Sequence, residues 1–114
     1  MSEGFQAYLE DLFAGVPGIS FRRMFGGTGI FRDGVMIALV VSDVLYLKAD
    51  DETAPRFEAE GKGPFFYSRK GKQVSLSYYE APEALFEDTD TFRAWIDTAT
   101  GVALAGQKDK RRKL

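Results

Sequence analysis

The chain has 114 residues and a formal charge of −2, with 15 Lys and Arg against 17 Asp and Glu, and it contains neither Cys nor His. That length is one domain, long enough to bury a core without covalent staples. The missing Cys excludes disulfides, a thiolate nucleophile and Cys-bound zinc, and the missing His excludes an imidazole base, a Ser-His-Asp triad and a His-bound metal.

Phe5, Tyr8, Leu9, Leu12 and Phe13 recur at helical spacing, so the first element is an amphipathic helix with Ser2 as its N-cap. Gly15 and Pro17-Gly18 end it. Residues 21–25 read as extended. Gly26, Gly27 and Gly29 admit a bend or bulge, because glycine accepts positive φ, and the strand continues over 29–32. Asp33-Gly34 is a two-residue hairpin signal. The run 35–41 is apolar on both alternating faces, the pattern of a central strand covered on both sides. Ser42-Asp43 turns the chain into a strand over 44–48.

A helix follows over 50–60. Pro55 must lie in its first turn, which sets the start near Thr53, turns Phe57 inward and leaves Gly61 just past the end. Strands over 65–69 and 72–79 flank a turn at Lys70-Gly71, and Phe65 and Tyr67 share a face that a core would claim. Pro82 closes the second strand. The last helix starts at Asp88, with Asp88 and Thr91 suited to its cap and Phe92, Trp95, Ile96, Ala99, Val102 and Ala103 on one face. Gly101 and Gly106 weaken its end.

The order α-β-β-β-α-β-β-α predicts an α+β two-layer sandwich: an antiparallel five-stranded sheet with helices mainly on one face. The strand order stays open. The domain spans 1–106, and 107–114 form a basic tail expected to be disordered. Residues 1–106 hold ten basic against sixteen acidic side chains, a net of −6, whereas the tail carries Lys108, Lys110, Arg111, Arg112 and Lys113 against Asp109, a net of +4. The body disfavours nucleic acid and anionic lipid; the tail favours both. No apolar run reaches the roughly 18 residues of a membrane span. The N-terminus lacks the basic and apolar regions of a secretory leader. The expectation is a cytoplasmic protein with no membrane partner.

Several clusters carry chemistry in principle. The glycines at 26–34 match neither a phosphate loop nor a dinucleotide fingerprint, since Arg32 stands where the latter needs a small residue and a hairpin follows instead of a helix. Asp50, Asp51 and Glu52 suit a helix start, where anions meet the dipole, better than a metal, so neither a metal nor another cofactor is expected. Arg22 and Arg23 could hold a partner's carboxylate, although neighbours on a strand point to opposite faces. The hairpin 65–72 mixes rings with Arg69, Lys70 and Lys72, a combination that also serves single-stranded nucleic acid. Tyr78 and Tyr79 read as packing residues with a polar tip.

Taken together, Arg22-Arg23-Met24-Phe25-Gly26-Gly27, Gly29-Ile30-Phe31-Arg32-Asp33-Gly34-Val35-Met36, Leu45-Tyr46-Leu47-Lys48-Ala49-Asp50-Asp51, Pro64-Phe65 and Ser75-Leu76-Ser77-Tyr78-Tyr79-Glu80-Ala81-Pro82 resemble the N-terminal domain of the TfoX/Sxy family of bacterial competence regulators. The resemblance covers about residues 4–104. It implies a fold like that of the secretion-chaperone-like group, which binds protein partners. It also implies a cytoplasmic, non-enzymatic role in transcription regulation, and it carries over no catalytic residues. Full-length TfoX proteins add a C-terminal helical domain of helix-hairpin-helix type. A stand-alone copy of the N-terminal domain is the expectation here.

The leading functional expectation is therefore a protein–protein interaction module, with Arg22, Arg23, Arg69, Lys70 and Lys72 as contact residues for a protein partner and a homodimer as one possible assembly. One alternative is an accessory nucleic-acid binder using Lys108, Lys110, Arg111, Arg112 and Lys113 with the 65–72 hairpin tip. The other is a small enzyme, which would require Tyr79, Glu80 and Asp50 to converge in an enclosed pocket.

Overall fold

The computed structural model describes residues 1–24 and 26–112, with side chains described as far as Gln107. Helix α1 (Glu3–Phe13) is followed by strands β1 (Ile19–Met24), β2 (Gly27–Arg32), β3 (Val35–Val41) and β4 (Val44–Lys48), helix α2 (Ala54–Ala59), strands β5 (Pro64–Arg69) and β6 (Lys72–Glu80), a 3₁₀ turn at Glu83–Phe86, and helix α3 (Thr89–Arg112). The strands form one antiparallel sheet in the order β1-β2-β3-β4-β6-β5. The α+β class and the antiparallel sheet agree with the sequence, but the sheet has six strands rather than five. Gly26 adopts φ +74° and reverses the chain, so Met24 stands opposite Gly27. Positive φ at this glycine makes a hairpin where the sequence suggested a bulge within one strand. Phe25, assigned to that strand, lies outside the described residues.

The other turns follow their residue chemistry. Asp33 and Gly34, Ser42 and Asp43, and Lys70 and Gly71 all have positive φ, the conformation that two-residue hairpins require. Ser2 caps α1, its hydroxyl accepting from the Phe5 N–H at 3.2 Å. Thr53 is the N-cap position of α2, and Pro55 falls in its first turn. The Lys62 N–H returns to the Phe57 carbonyl and the Gly61 N–H to that of Glu58, both at 3.0 Å. That pattern ends a helix where glycine accepts positive φ. The Asp88 carboxylate accepts from the Thr91 N–H at 3.0 Å at the head of α3. Helix α3 continues through Gly101 and Gly106 to Arg112, beyond the predicted domain end. The side chains of 108–112 and all of 113–114 lie outside the described residues, as does the expected disorder of the tail's charged groups.

One face of the sheet carries the core. Phe92, Ile96, Ala99 and Ala103 of α3 pack with Leu9 and Phe13 of α1, Phe57 of α2 and Leu85 of the 3₁₀ turn. Their partners on the strands are Ile30, Ile37, Ala38, Val40, Leu45 and Leu47. The Phe13 ring meets Phe92 edge-on at 5.0 Å, and Phe57 meets Trp95 edge-on at 5.0 Å. Full burial stabilises such a side chain by about 1.5–3 kcal/mol. In β3, Ala38 opposes Ile30 while Met36 opposes Phe31, so Ile37 is an extra residue, a β-bulge. The bulge turns both Ile37 and Ala38 into the core with Val40, and Leu39 is buried on the opposite face, so four consecutive residues over 37–40 are buried.

Glycines and one ion cluster hold this frame. A Cβ on Gly27 would run into the backbone carbonyl of Val40. Arg32 Nη1 donates to Asp97 Oδ1 at 2.8 Å and to Thr100 Oγ1 at 3.1 Å, pinning β2 to α3. Arg93 adds a bond to the same Asp97 oxygen at 3.1 Å and reaches the Gly15 carbonyl at 2.9 Å.

Two outcomes follow. Gly27→Ala should cost about 2 kcal/mol or more, because rigid backbone must shift. Gly26→Ala, whose Cβ meets nothing, should cost about 1 kcal/mol through its positive φ. Urea midpoints separate the two. The hydrogen bond from Arg32 holds the Asp97 carboxyl below its ordinary value of 3.8, with Arg93 adding to it. The stability this gives is complete above pH 3.8 and is lost as pH falls through the lowered folded value. Asp97 is half exposed, so Asp97→Asn should cost less than about 1 kcal/mol at neutral pH. It should also flatten the acid limb of stability against pH, measured by denaturation at stepped pH.

Candidate binding surface on the open sheet face

The helices pack on the core side, and among the described residues the opposite face of the sheet is covered by its own side chains. Strand alternation places Met24 of β1, Phe31 of β2, Met36, Leu39 and Val41 of β3, Tyr46 of β4, Phe65 and Tyr67 of β5, and Leu76 and Tyr78 of β6 on that side. Most of them line a groove of about 560 Å³ whose wall is mainly apolar, with Arg69 at its margin. Met24 and Met36 both reach over Gly29, where an added Cβ would meet the Met24 sulfur and the Phe31 ring. The missing side chain lets the methionines lie down on the sheet. Leu39 is buried in the groove floor, while Tyr67 and Leu76 remain more than a third exposed.

Aromatic rings and cations frame this groove. Tyr46 meets Phe65 edge-on at 5.1 Å, and Phe65 stacks near Tyr67 at 6.4 Å. Arg22 lies over the Phe31 ring at 5.5 Å, and Lys48 lies over the Tyr78 ring at 5.0 Å while donating to the Ser77 hydroxyl at 2.8 Å. Burial raises the pKa of Tyr78; burial, then the nearby Glu80 charge, raises that of Tyr46. Both phenols therefore stay neutral donors. Beside the groove, burial opposes the charge of Lys62, but Glu83 and Glu80, at 3.3 and 3.4 Å, outweigh it and raise its pKa.

The residues singled out in the sequence divide between the faces. Arg22 lies on the open face and Arg69 lines the groove; Lys72 stands opposite Arg69 in register, and Lys70 is at the hairpin tip. Arg23 pairs with Thr28 and alternates to the other side. Phe65 and Tyr67 share a face as expected, but it is the open face and not the core, because their register pairs them with the open-face positions of β6. Lys108, Lys110, Arg111, Arg112 and Lys113 fall outside the described side chains. Tyr79 and Asp50 border one shallow polar pocket with Ser75 and Ser77, but Glu80 faces the opposite side of β6. The Asp50 carboxylate is occupied by the N–H groups of Glu52 and Thr53 at 3.1 and 2.9 Å, the work of a helix start.

Met24, Met36, Leu39, Val41, Leu76 and Tyr78 were not legible as a surface. The signal for them is the two-sided apolar pattern of 35–41, which reads as burial between layers. Here the second side of β3 faces the groove, where neighbouring side chains of the sheet bury Leu39 and leave Met36 and Val41 part-exposed. Among the described residues no helix is long and apolar enough to cross a membrane.

The sequence that builds these elements has counterparts among known proteins. Residues 11–103 match the family described as the TfoX N-terminal domain. The DNA transformation protein TfoX1 of Aliivibrio fischeri is 36% identical over 66 residues, which cover 58% of this chain and 31% of that protein. The matched part thus spans about a third of the relative's length. Because the family match runs from within α1 to the buried part of α3 and takes in every strand, this chain belongs to the TfoX N-terminal domain family.

Proposed function

We propose that this chain is a non-enzymatic regulatory module that acts by binding another protein on its open sheet face. The observation that carries this reading is the uncovered apolar groove over β3 and β6, on a protein whose other sheet face is packed against helices. Isolated exposed apolar side chains are ordinary, but a contiguous patch rimmed by polar groups is the mark of an interaction surface. The family supports a regulatory role, and the name of the Aliivibrio relative points to DNA transformation as the process to examine first. Arg22, Arg69, Lys70 and Lys72 are the polar contacts on this reading; Arg23, on the other side, is its control. The sequence, lacking His and Cys, also supplies none of the commonest nucleophile–base pairs.

A strain lacking the chain and complemented with variants tests this reading. Transformation frequency and transcripts of the DNA-uptake genes are the readouts. Wild type and Arg23→Glu should restore both. Leu76→Glu changes an exposed side chain and should alter stability by no more than about 0.5 kcal/mol, yet it should lower both readouts at least about tenfold, the effect of losing roughly 1.4 kcal/mol of binding. Full complementation by Leu76→Glu, or no change in the deletion strain, contradicts the proposal.

A further inference from the structure

We propose that the occupant of the open face is an acidic amphipathic α-helix of a partner protein, an inference that rests on the reading of this face as a docking surface. Three observations select it: chemistry of the floor, size and charge.

The floor is aliphatic and adaptable. Met24, Met36, Leu39 and Leu76 provide it, and unbranched methionine conforms to irregular apolar partners. A helix presents anchors at i, i+3, i+4 and i+7 to such a groove. The dimensions suit one. Met24 on β1 and Tyr67 on β5 belong to the outermost strands of the six. Five interstrand spacings make the path across the sheet about 24 Å, which sets an upper length of about 16 residues for a helix lying in it.

Charge sets the sign of the partner. The charged strand residues on this face are Arg22, Lys48, Arg69, Lys72 and Glu80. Four are cations against one carboxylate, Glu80, which shares the Lys62 ammonium with Glu83 at 3.4 and 3.3 Å. The rest of the body is acidic, with a net of −6 over residues 1–106, so this face is a basic island. Guanidinium groups at the margin suit carboxylates, which they bind in bidentate fashion. A second copy would set the same cations against each other across a two-fold interface. Single-stranded nucleic acid needs free ring faces for stacking. Here cations lie over Phe31 and Tyr78, and Tyr46 holds Phe65 edge-on.

The test uses the full chain and four fluorescent probes, read by anisotropy. The first is a synthetic peptide of about 16 residues with Leu at i, i+3, i+4 and i+7 and Glu on the remaining face. The others are its shuffled sequence, its Lys-for-Glu counterpart and a single-stranded thymidine oligonucleotide. The acidic periodic peptide should bind saturably, at least about tenfold tighter than the other three, and more weakly as salt rises. Leu76→Glu and, separately, Tyr67→Glu should abolish binding while circular dichroism stays unchanged. The double variant Arg22→Glu, Arg69→Glu should shift preference to the lysine peptide. Equal binding of all peptides, tighter binding of the oligonucleotide or the lysine peptide to the wild type, or no saturation by about 1 mM overturns the inference. If that happens while Leu76→Glu still fails to complement the deletion strain, only the acidic helix is refuted. If Leu76→Glu complements fully, the docking surface itself is refuted.

Discussion

The apolar stripe of α3 lying across β3 and β4 is the contact on which the architecture depends. Phe92, Ile96, Ala99 and Ala103 give that helix one buried side, and they gather α1, α2 and the 3₁₀ turn onto the same face of the sheet. Arg32, on β2, fixes the orientation by gripping Asp97 and Thr100 one turn apart on α3. Among the described residues the helices pack on that face and none covers the other. The open groove follows from this one-sided coverage.

The groove is shaped by the sheet itself. The extra residue at Ile37 sends two adjacent side chains into the core and raises the local twist. Gly27 lets β2 approach the Val40 carbonyl, and Gly29 leaves room for the Met24 and Met36 side chains to lie flat. The motif that looked like a flexible glycine stretch therefore serves close packing at 27 and 29 and a chain reversal at 26. Its conformational freedom matters at only one of the three positions.

Much of the fold was legible because local chemistry and tertiary structure agree. Ser2, Gly61 and Asp88 act at helix ends as their side chains or backbone freedom dictate, Thr53 holds the N-cap position of α2 with its hydroxyl turned back to the Asp50 N–H, and three turn pairs take the expected positive φ. The stripe from Phe92 to Ala103 faces the core as its spacing requires. The sixth strand was hidden because a glycine that permits a bulge equally permits a hairpin. Helix α3 passes Gly101 and Gly106 because exposed glycines cost it only about 1 kcal/mol each. Of the candidate surface, Arg22 and Arg69 were found from charge, whereas Met24, Met36 and Leu39 were not. An apolar strand face carries the same pattern whether a helix or a partner protein covers it.

One-sided packing decides which methyl groups meet solvent. A methyl-labelled sample, observed by NMR with a soluble paramagnetic agent, tests it directly. The Met24, Met36 and Leu76 methyls should lose intensity strongly, whereas those of Ile30, Ile37, Leu45 and Leu47 should be protected. Equal protection of both sets would mean that the open face is already covered, and it would contradict a sheet packed against helices on one face alone.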